Sequence, residues 1–327
     1  MEAFVFAISA VTPIILLVGL GYFLKRIKII KAELAPSLHK IVFRVLLPAM
    51  LFLNVYKSES IGDIDFGYII YAFIFIVAVF LISIPAVVFI TKKQERRGAL
   101  LQATFRSNFA LIGLPVSVAL FGEEGAAVAS LLSIAIIPLY NILAVISLSI
   151  FNADGKKPSV KSVVLQIVQN PLILGIAAGM VALITRALFV KHGISFRLTD
   201  IAPVFKVLEY LSAAATPLAL LTLGAQFEFS AIRSLRREII FGTVLRVLIV
   251  PLLGIGIAYI LKDNFTGAHF ATFVALFATP IATSSVPMAE VMGSDSALAG
   301  QLVIWTTLLS SFTIFAASYL LKLAGIF

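Results

Sequence analysis

Ten apolar runs of membrane-spanning length constrain this chain more than any other feature. A helix needs about 20 apolar residues to cross the hydrocarbon core of a bilayer. Lipid offers the backbone no hydrogen-bond partner and tolerates no open sheet edge, so each run is predicted to be a helix. The predicted spans are residues 4–24, 37–56, 67–91, 99–121, 126–151, 162–185, 203–225, 239–261, 267–290 and 298–323.

The composition places the chain among integral membrane proteins. Of its 327 residues, 61% are hydrophobic and 13% are charged, against about 25% charged in ordinary soluble domains. With no cysteine there is no disulfide framework and no thiolate metal site. The three histidines (His39, His192 and His269) lie far apart. No metal, no other cofactor and no catalytic residue is therefore expected.

The distribution of basic residues predicts the orientation in the membrane. Most of the lysines and arginines fall in the odd-numbered connections between spans, which are therefore predicted to be cytoplasmic. The chain is then a multi-pass protein of the cell (inner) membrane with both termini outside the cytoplasm. The net charge of +9 reflects this topology and not binding to nucleic acid. The sixth connection, around 186–202, is unusually basic for its side and is predicted to be a longer, partly structured external segment.

The prolines indicate an internal repeat. Spans one to four contain Pro13, Pro48, Pro85 and Pro115, and spans six to nine contain the matching Pro171, Pro217, Pro251 and Pro280. The offset between the halves is nearly constant after the first pair. Each half has five spans, an odd number, so the halves must have opposite orientations, which is an inverted repeat. The alternative is that prolines are simply frequent in membrane helices. The predicted divisions are a first repeat over 1–151, a short cytoplasmic linker over 152–161 and a second repeat over 162–327.

Two of the spans are predicted to be interrupted. In the stretch 106–117, Pro115 lacks a backbone N–H and its ring clashes with the preceding turn, so the helix is expected to break near Leu111. Gly113 removes a steric constraint at the same place. A second interrupted stretch, 277–287, occupies the corresponding position in the other half. Paired interruptions of this kind point to the binding site of a transporter.

The two breaks predict an anion site. If spans four and nine break and cross, half-helix N-termini near Pro115 and Pro280 present free N–H groups and the positive end of a dipole to a carboxylate. The expected ligand is a small organic anion held by amides, hydroxyls and backbone rather than by an ion pair. The predicted substrate-binding residues are Asn54, Asn108, Gly113, Leu114, Pro115, Asn141, Thr279, Pro280, Ile281, Thr283, Ser284 and Ser285.

Structural alternatives exist for several of these side chains. The serines and threonines of the second stretch can instead satisfy a kinked helix, and Asn54 can make a helix-packing hydrogen bond. Arg106 either leads an anion inward or extends its charge to the interface. The other ionisable residues within spans are candidates for function by default, and a structural role is favoured for them: Arg44, Glu209, Arg246 and Glu290.

An ordered set of motifs resembles a known family. The motifs are Asn108 followed by Ile112-Gly-Leu-Pro115, Leu47-Pro-Ala-Met-Leu-Phe52, Asn170-Pro-Leu172, Ala214-Ala-Thr-Pro-Leu-Ala-Leu-Leu-Thr-Leu-Gly224, Pro280 to Ser285, and Gly293-Ser-Asp295. Together they resemble the auxin efflux carrier family, within the wider bile acid/sodium symporter-like fold group. That family includes the plant PIN carriers and bacterial permeases for malonate and malate. The resemblance covers essentially the whole chain.

The resemblance implies an all-α membrane fold of ten transmembrane helices, built as a five-plus-five inverted repeat with broken, crossing helices four and nine. It also implies a scaffold of spans 1, 2, 6 and 7, a transport domain of spans 3–5 and 8–10, elevator-type alternating access, and a homodimer formed through scaffold helices. The family's crossover asparagine and prolines carry over onto Asn108, Pro115 and Pro280. The chain lacks the large central loop of the plant carriers, which is typical of short prokaryotic members.

The expected function is secondary active transport of small carboxylates, such as malonate, malate or auxin-like acids. Coupling to a proton or sodium ion stays open, as does the direction of transport. One rival is a sodium/proton antiporter-like exchanger, for which an aspartate near the crossing is expected. Another is a non-transporting sensor of the same fold. An intramembrane hydrolase needs a base beside its nucleophile, and no histidine is close in sequence to Ser284 or Ser285.

Overall fold

The computed structural model describes residues 2–31, 34–57, 66–151, 160–227 and 229–327. Within these ranges the regular structure is helical, with one isolated antiparallel bridge between Ser107 and Ile281. The helices are α1 (Glu2–Arg26), α2 (Ala35–Ile41), α3 (Leu47–Tyr56), α4 (Phe66–Ile90), α5 (Gln94–Phe105), α6 (Leu114–Ile150), α7 (Val160–Val168), α8 (Pro171–Lys191), α9 (Ala202–Gln226), α10 (Phe229–Val244), α11 (Val250–Ile260), α12 (Gly267–Phe277), α13 (Ser285–Val291) and α14 (Ser296–Leu323).

Seven helical stretches in the described ranges are long and apolar enough to cross a membrane. The prediction of a helical integral membrane protein is therefore confirmed. The count of ten spans stays a prediction, because predicted span nine consists of two short helices, α12 and α13. One stretch, Phe109–Ile150, has 42 residues, which corresponds to about 63 Å of helix. Non-helical torsion angles at Phe121 and Gly122 divide it, so it does not run as one rod.

Widened turns accompany three of the prolines. The π-helical turns Val42–Leu46, Phe109–Gly113 and Leu245–Ile249 lie directly before helices that have Pro48, Pro115 and Pro251 in their first turns. A proline cannot donate to the carbonyl four residues earlier and its ring crowds that carbonyl. A π-turn supplies the extra room within a continuous helix. The expected break near Leu111 is therefore wrong: the amides of Ile112 and Gly113 both bond to the Asn108 carbonyl, and the helix continues through Leu111.

Glycines bring four helices into close backbone contact. A Cβ on Gly21 of α1 would stand 2.1 Å from the Leu221 carbonyl oxygen of α9, and one on Gly224 of α9 would stand 1.9 Å from that of Val18. On the other pair, a Cβ on Gly175 or Gly179 of α8 would meet the backbone of α3. Any other residue at these positions would push the helices apart. Helices α1, α3, α8 and α9 correspond to predicted spans one, two, six and seven.

The structure describes one of the two connections discussed above and leaves most of the other outside the described residues. Most of the predicted linker, 152–159, lies outside the described residues. The connection between α8 and α9 contains a short 3-10 turn, Leu198–Asp200, in which the Arg197 backbone N–H donates to the Asp200 carboxylate at 2.7 Å. This connection is therefore partly structured, as predicted.

Candidate substrate-binding site

Two unwound segments meet inside the helical assembly. The first, 106–108, separates α5 from the π-turn that leads into α6, and the second, 278–284, separates α12 from α13. Ser107 and Ile281 form an antiparallel bridge, and the Asn108 amide donates to the Pro280 carbonyl at 2.7 Å. We call these two segments together the junction. The real interruption of the first stretch therefore begins at Arg106, five residues before the predicted position.

Several backbone groups at the junction find hydrogen-bond partners inside the protein. α5 ends when Arg106 turns to extended torsion angles after its amide bonds to the Gln102 carbonyl. At the second segment Pro280 has no N–H with which to continue the α12 ladder. The Ile281 amide donates instead to the Thr306 hydroxyl of α14, at 3.2 Å. Unwound backbone survives at membrane depth only with partners of this kind.

Gly113 allows the π-turn to pack closely against α12. A Cβ at this position would stand 2.8 Å from the Ala275 carbonyl oxygen and 2.5 Å from the Phe109 ring. The role of Gly113 in the structure is thus to permit this approach, and not to line a cavity. Its neighbour Pro115 is exposed.

A cavity of about 420 Å³ adjoins the junction. Its walls come from α3, from α6, from α9 and from both unwound segments. Five of the predicted site residues line it: Asn54, Asn108, Asn141, Thr283 and Ser284. The other seven do not: Gly113, Leu114, Pro115, Thr279, Pro280, Ile281 and Ser285. Polar lining residues that the sequence analysis did not assign to the site are Arg106, Ser107, Tyr140, Ser212 and Thr216.

Arg106 provides the cationic side chain of the cavity wall. It is 2% exposed, and its guanidinium donates to the Gln102 side chain at 2.8 Å, to Asn141 Oδ1 at 3.0 Å and to Ser284 Oγ at 2.9 Å. It also donates to Met288 Sδ at 3.3 Å, and all four acceptors are neutral. Within the described ranges no carboxylate oxygen lies within 4.0 Å of its nitrogens. The arrangement fixes the guanidinium while leaving its charge without an acidic partner.

Two asparagines extend the polar wall around Arg106. Asn141 donates from Nδ2 to the Ile137 carbonyl at 2.8 Å, which turns its Oδ1 toward Arg106. Asn108 Nδ2 is buried and has no hydrogen-bond partner among the described residues. A buried donor without a partner costs free energy, about 1–3 kcal/mol. A ligand oxygen in the cavity would satisfy it.

The facing wall, from α3 and α9, is less polar. Its apolar members are Leu47, Met50, Leu51, Ala213 and Pro217. Asn54, Ser212 and Thr216 add neutral polar groups to the same wall. The cavity is therefore polarised, with its charged side chain at the junction and mostly apolar or small side chains opposite.

These contacts bear on two sequence-based interpretations. Arg106 does not reach toward the membrane interface, because its guanidinium is enclosed among Gln102, Asn141 and Ser284. The ligand was expected to be held without an ion pair, and the cavity wall nevertheless contains the guanidinium of Arg106. The available signal was the position of Arg106, a charged residue directly before the interruption of an apolar stretch.

A second arginine, Arg246, lies behind the junction. It is fully buried in the π-turn between α10 and α11. Its guanidinium donates to the carbonyls of Thr279 and Leu276 at 2.9 Å each, and more weakly to that of Phe105 at 3.4 Å. Arg246 does not line the cavity.

Comparison with known proteins gives a consistent set of matches. The sequence profile of a family described as "Membrane transport protein" matches residues 6–316. An uncharacterized transporter of Methanothermobacter thermautotrophicus is 26% identical over 318 residues, which cover 92% of this chain and 94% of that protein. A protein of Rhizobium meliloti named "Putative malonate transporter" is 23% identical, with 95% of each chain covered. An uncharacterized transporter of Methanocaldococcus jannaschii is 28% identical over 69% of this chain and 70% of its own length.

Proposed function

The chain belongs to the membrane transport protein family, that of the auxin efflux carriers, and we propose that it is a secondary transporter of small carboxylates. The substrate binds in the cavity beside the junction. Its carboxylate faces Arg106 and Asn108, and the rest of the molecule faces α3 and α9.

The observation that carries the proposal is the buried guanidinium of Arg106. An ionised side chain removed from water is costly unless an opposite charge compensates it. The neutral partners of Arg106 orient it but do not neutralise it. The two oxygens of a carboxylate match the planar donors of an arginine. A substrate carboxylate would take donors that now bond to neutral groups such as Asn141 and Ser284. The unused Nδ2 donor of Asn108 lies on the same wall and adds a further hydrogen bond.

The proposed architecture is ten spans in a five-plus-five inverted repeat, with interrupted spans four and nine crossing at the junction. The bridge between Ser107 and Ile281 supports it. Related glycine contacts support it too: Gly21 of span one packs on α9 of span seven, while Gly179 of span six packs on α3 of span two. A two-fold relation between the halves exchanges these two contacts.

The proposed mechanism is elevator-type alternating access. Spans 1, 2, 6 and 7 form the scaffold, and spans 3–5 and 8–10 carry the substrate. The four side chains that bond to Arg106 belong to spans four, five and nine, whereas the scaffold contributes α3 and α9 to the facing wall. The substrate would therefore travel with the part that holds its charge. We further propose a homodimer through scaffold helices, in the cell membrane, with both termini outside the cytoplasm.

The identity of the carboxylate is proposed at the level of class. The name of the Rhizobium meliloti relative makes malonate the first compound to test, and a cavity of about 420 Å³ also admits larger acids. The exchanger alternative is less well supported, since the charged side chain at the junction is an arginine and not an acid.

Reconstitution into liposomes tests the proposal. Uptake of labelled malonate, malate and indole-3-acetate is measured under imposed proton, sodium and voltage gradients. Saturable uptake of at least one acid, reduced in the Arg106→Gln variant, is the expected result. Binding of an acid without movement across the bilayer would favour a sensor, and neither binding nor uptake would refute the proposal.

A further inference from the structure

The contacts of Arg246 bear on whether transport by this chain is coupled to sodium. Its guanidinium bonds to three backbone carbonyls, those of Phe105, Leu276 and Thr279. Phe105 is the last residue of α5, while Leu276 and Thr279 flank the end of α12. These are the C-terminal ends of the two helices that the junction interrupts. One side chain therefore holds both interrupted helices at the same place.

The end of a helix at its C-terminus is electrically negative. The last carbonyls have no intrahelical partner, and the aligned peptide dipoles give that end the equivalent of about half a negative charge. In transporters with interrupted helices, such ends and the adjoining unwound carbonyls are where a coupling Na⁺ is held. Two such ends converging on one point make a suitable cation site. Here the point is occupied by a guanidinium.

The charge of Arg246 is balanced by these carbonyls and not by an acid. Across the described ranges, no carboxylate oxygen lies within 4.0 Å of its nitrogens. Arginine does not lose its proton in proteins, so the charge is permanent. A sodium ion entering the same place would meet a fixed positive charge a few ångströms away, at a depth where such repulsion is weakly screened.

We infer that Arg246 is a built-in substitute for a coupling sodium ion, and that carboxylate transport by this chain therefore needs no sodium. The inference rests on the proposed function, which it extends to the driving force. Arg246 acts as a positioning residue. By holding the ends of α5 and α12, it sets the positions of Arg106 and Ser284 in the cavity wall without contacting the substrate itself.

The test compares Arg246→Ala with Arg233→Ala, a matched change at an exposed arginine of α10. Each purified protein is assayed in two ways, with Na⁺, K⁺ or choline as the main monovalent cation, and with or without millimolar guanidinium as a further addition. The first assay is uptake of labelled malonate into proteoliposomes. The second is the thermal unfolding midpoint in detergent, which does not depend on knowing the substrate.

The unaltered protein is expected to show the same uptake and the same midpoint in Na⁺, K⁺ and choline. Arg246→Ala leaves buried carbonyls unpaired, so uptake should fall by about tenfold or more and the midpoint should fall as well. Guanidinium should restore both, because it can occupy the vacated place. Sodium should restore them in part, so that this variant alone becomes sodium-dependent. Arg233→Ala should match the unaltered protein in every condition.

Three results would overturn the inference. They are uptake by the unaltered protein only when Na⁺ is present, an Arg246→Ala variant as active and stable as Arg233→Ala, and a damaged Arg246→Ala variant whose midpoint neither guanidinium nor sodium raises.

If Arg246→Ala cannot be purified, Arg246→Lys replaces it. Because lysine retains the positive charge, this variant is expected to retain sodium-independent uptake. Loss of that uptake in Arg246→Lys, or its dependence on sodium, would count against the inference. Lack of malonate uptake in the unaltered protein under all cations would count against the transport assignment for malonate, while the midpoints would still decide the role of Arg246.

Discussion

Arg106 donates a hydrogen bond to Ser284 at 2.9 Å across 178 positions of sequence. The bond joins the two unwound segments on the side that faces the cavity. A second contact, from the Asn108 amide to the Pro280 carbonyl, joins them through the backbone. The cationic side chain of the cavity is therefore fixed by the same meeting of segments that creates the cavity.

Arg106→Gln is expected to weaken carboxylate binding by about 10- to 100-fold, because hydrogen bonds to a charged group contribute about 1.5–3 kcal/mol. Arg106→Lys should bind carboxylate more tightly than Arg106→Gln and more weakly than the unaltered protein, since an ammonium keeps the charge but not the planar pair of donors. The measurement is the KM for uptake. Arg44→Gln, at an exposed arginine outside the cavity lining, is the control, and equal effects of the two glutamine variants would contradict the assignment.

Changes at Asn108 separate hydrogen bonding from charge. Asn108→Ala removes the unused Nδ2 donor and should weaken binding by about 5- to 10-fold. Asn108→Asp introduces a carboxylate beside Arg106, which would compete with the substrate carboxylate for the same guanidinium, so binding should be lost while the thermal midpoint is kept or raised. A titration of ligand followed by thermal shift checks both. An Asp variant that binds like the unaltered protein would contradict the site.

Pro115 and Pro280 are expected to differ in importance. Pro115 is exposed and lies in the first turn of a helix that continues across it, so Pro115→Ala should change uptake by about twofold at most. Pro280 lies within the unwound segment, where its missing N–H helps to end α12. Pro280→Ala should lower uptake more than Pro115→Ala does. The reverse order would show that the turn at Phe109–Gly113, and not segment 278–284, controls the site.

A pair of glycines on α1 tests the close packing of the scaffold. Gly21→Ala would place a methyl group 2.1 Å from the Leu221 carbonyl oxygen, whereas a Cβ on Gly19 has nothing within 4 Å. The Gly21 change should cost about 1–3 kcal/mol through overpacking. The Gly19 change should be neutral or slightly stabilising, because alanine is the better helix former. Unfolding midpoints in detergent measure both, and equal midpoints would mean that α1 and α9 are not in close contact.

The helical, membrane-spanning character of the chain was accessible from sequence because it depends on local composition. An apolar run of sufficient length has few alternatives to a helix in lipid. The family was accessible because its motifs are ordered along the chain. The exact position of the first interruption was not accessible from sequence, since Pro115 suggested a break at Leu111. A π-turn absorbs that proline, and the chain unwinds earlier, where Ser107 and Asn108 find partners on the other half.

Five of the predicted polar site residues line the cavity. The sequence left the role of Arg106 open between two alternatives, and the role of Arg246 was not predicted. The sequence shows that a charged residue lies in an apolar stretch, where burying it is costly. It does not show which partner residues reduce that cost. The acceptors of Arg106 come from α5, α6, α13 and the second unwound segment. Those of Arg246 come from two helix ends far apart in the chain.

The sequence by itself determined that this chain is a bundle of apolar helices with paired interruptions and belongs to a transporter family, because hydropathy, prolines and ordered motifs are local properties. Only the tertiary structure decided where the interruptions fall, which side chains enclose the cavity and that its wall carries a guanidinium. Those features depend on contacts between residues more than a hundred positions apart, such as Arg106 with Ser284 and Arg246 with Phe105. The physical reason is that a buried polar group is stable only with partners, and the fold alone supplies them.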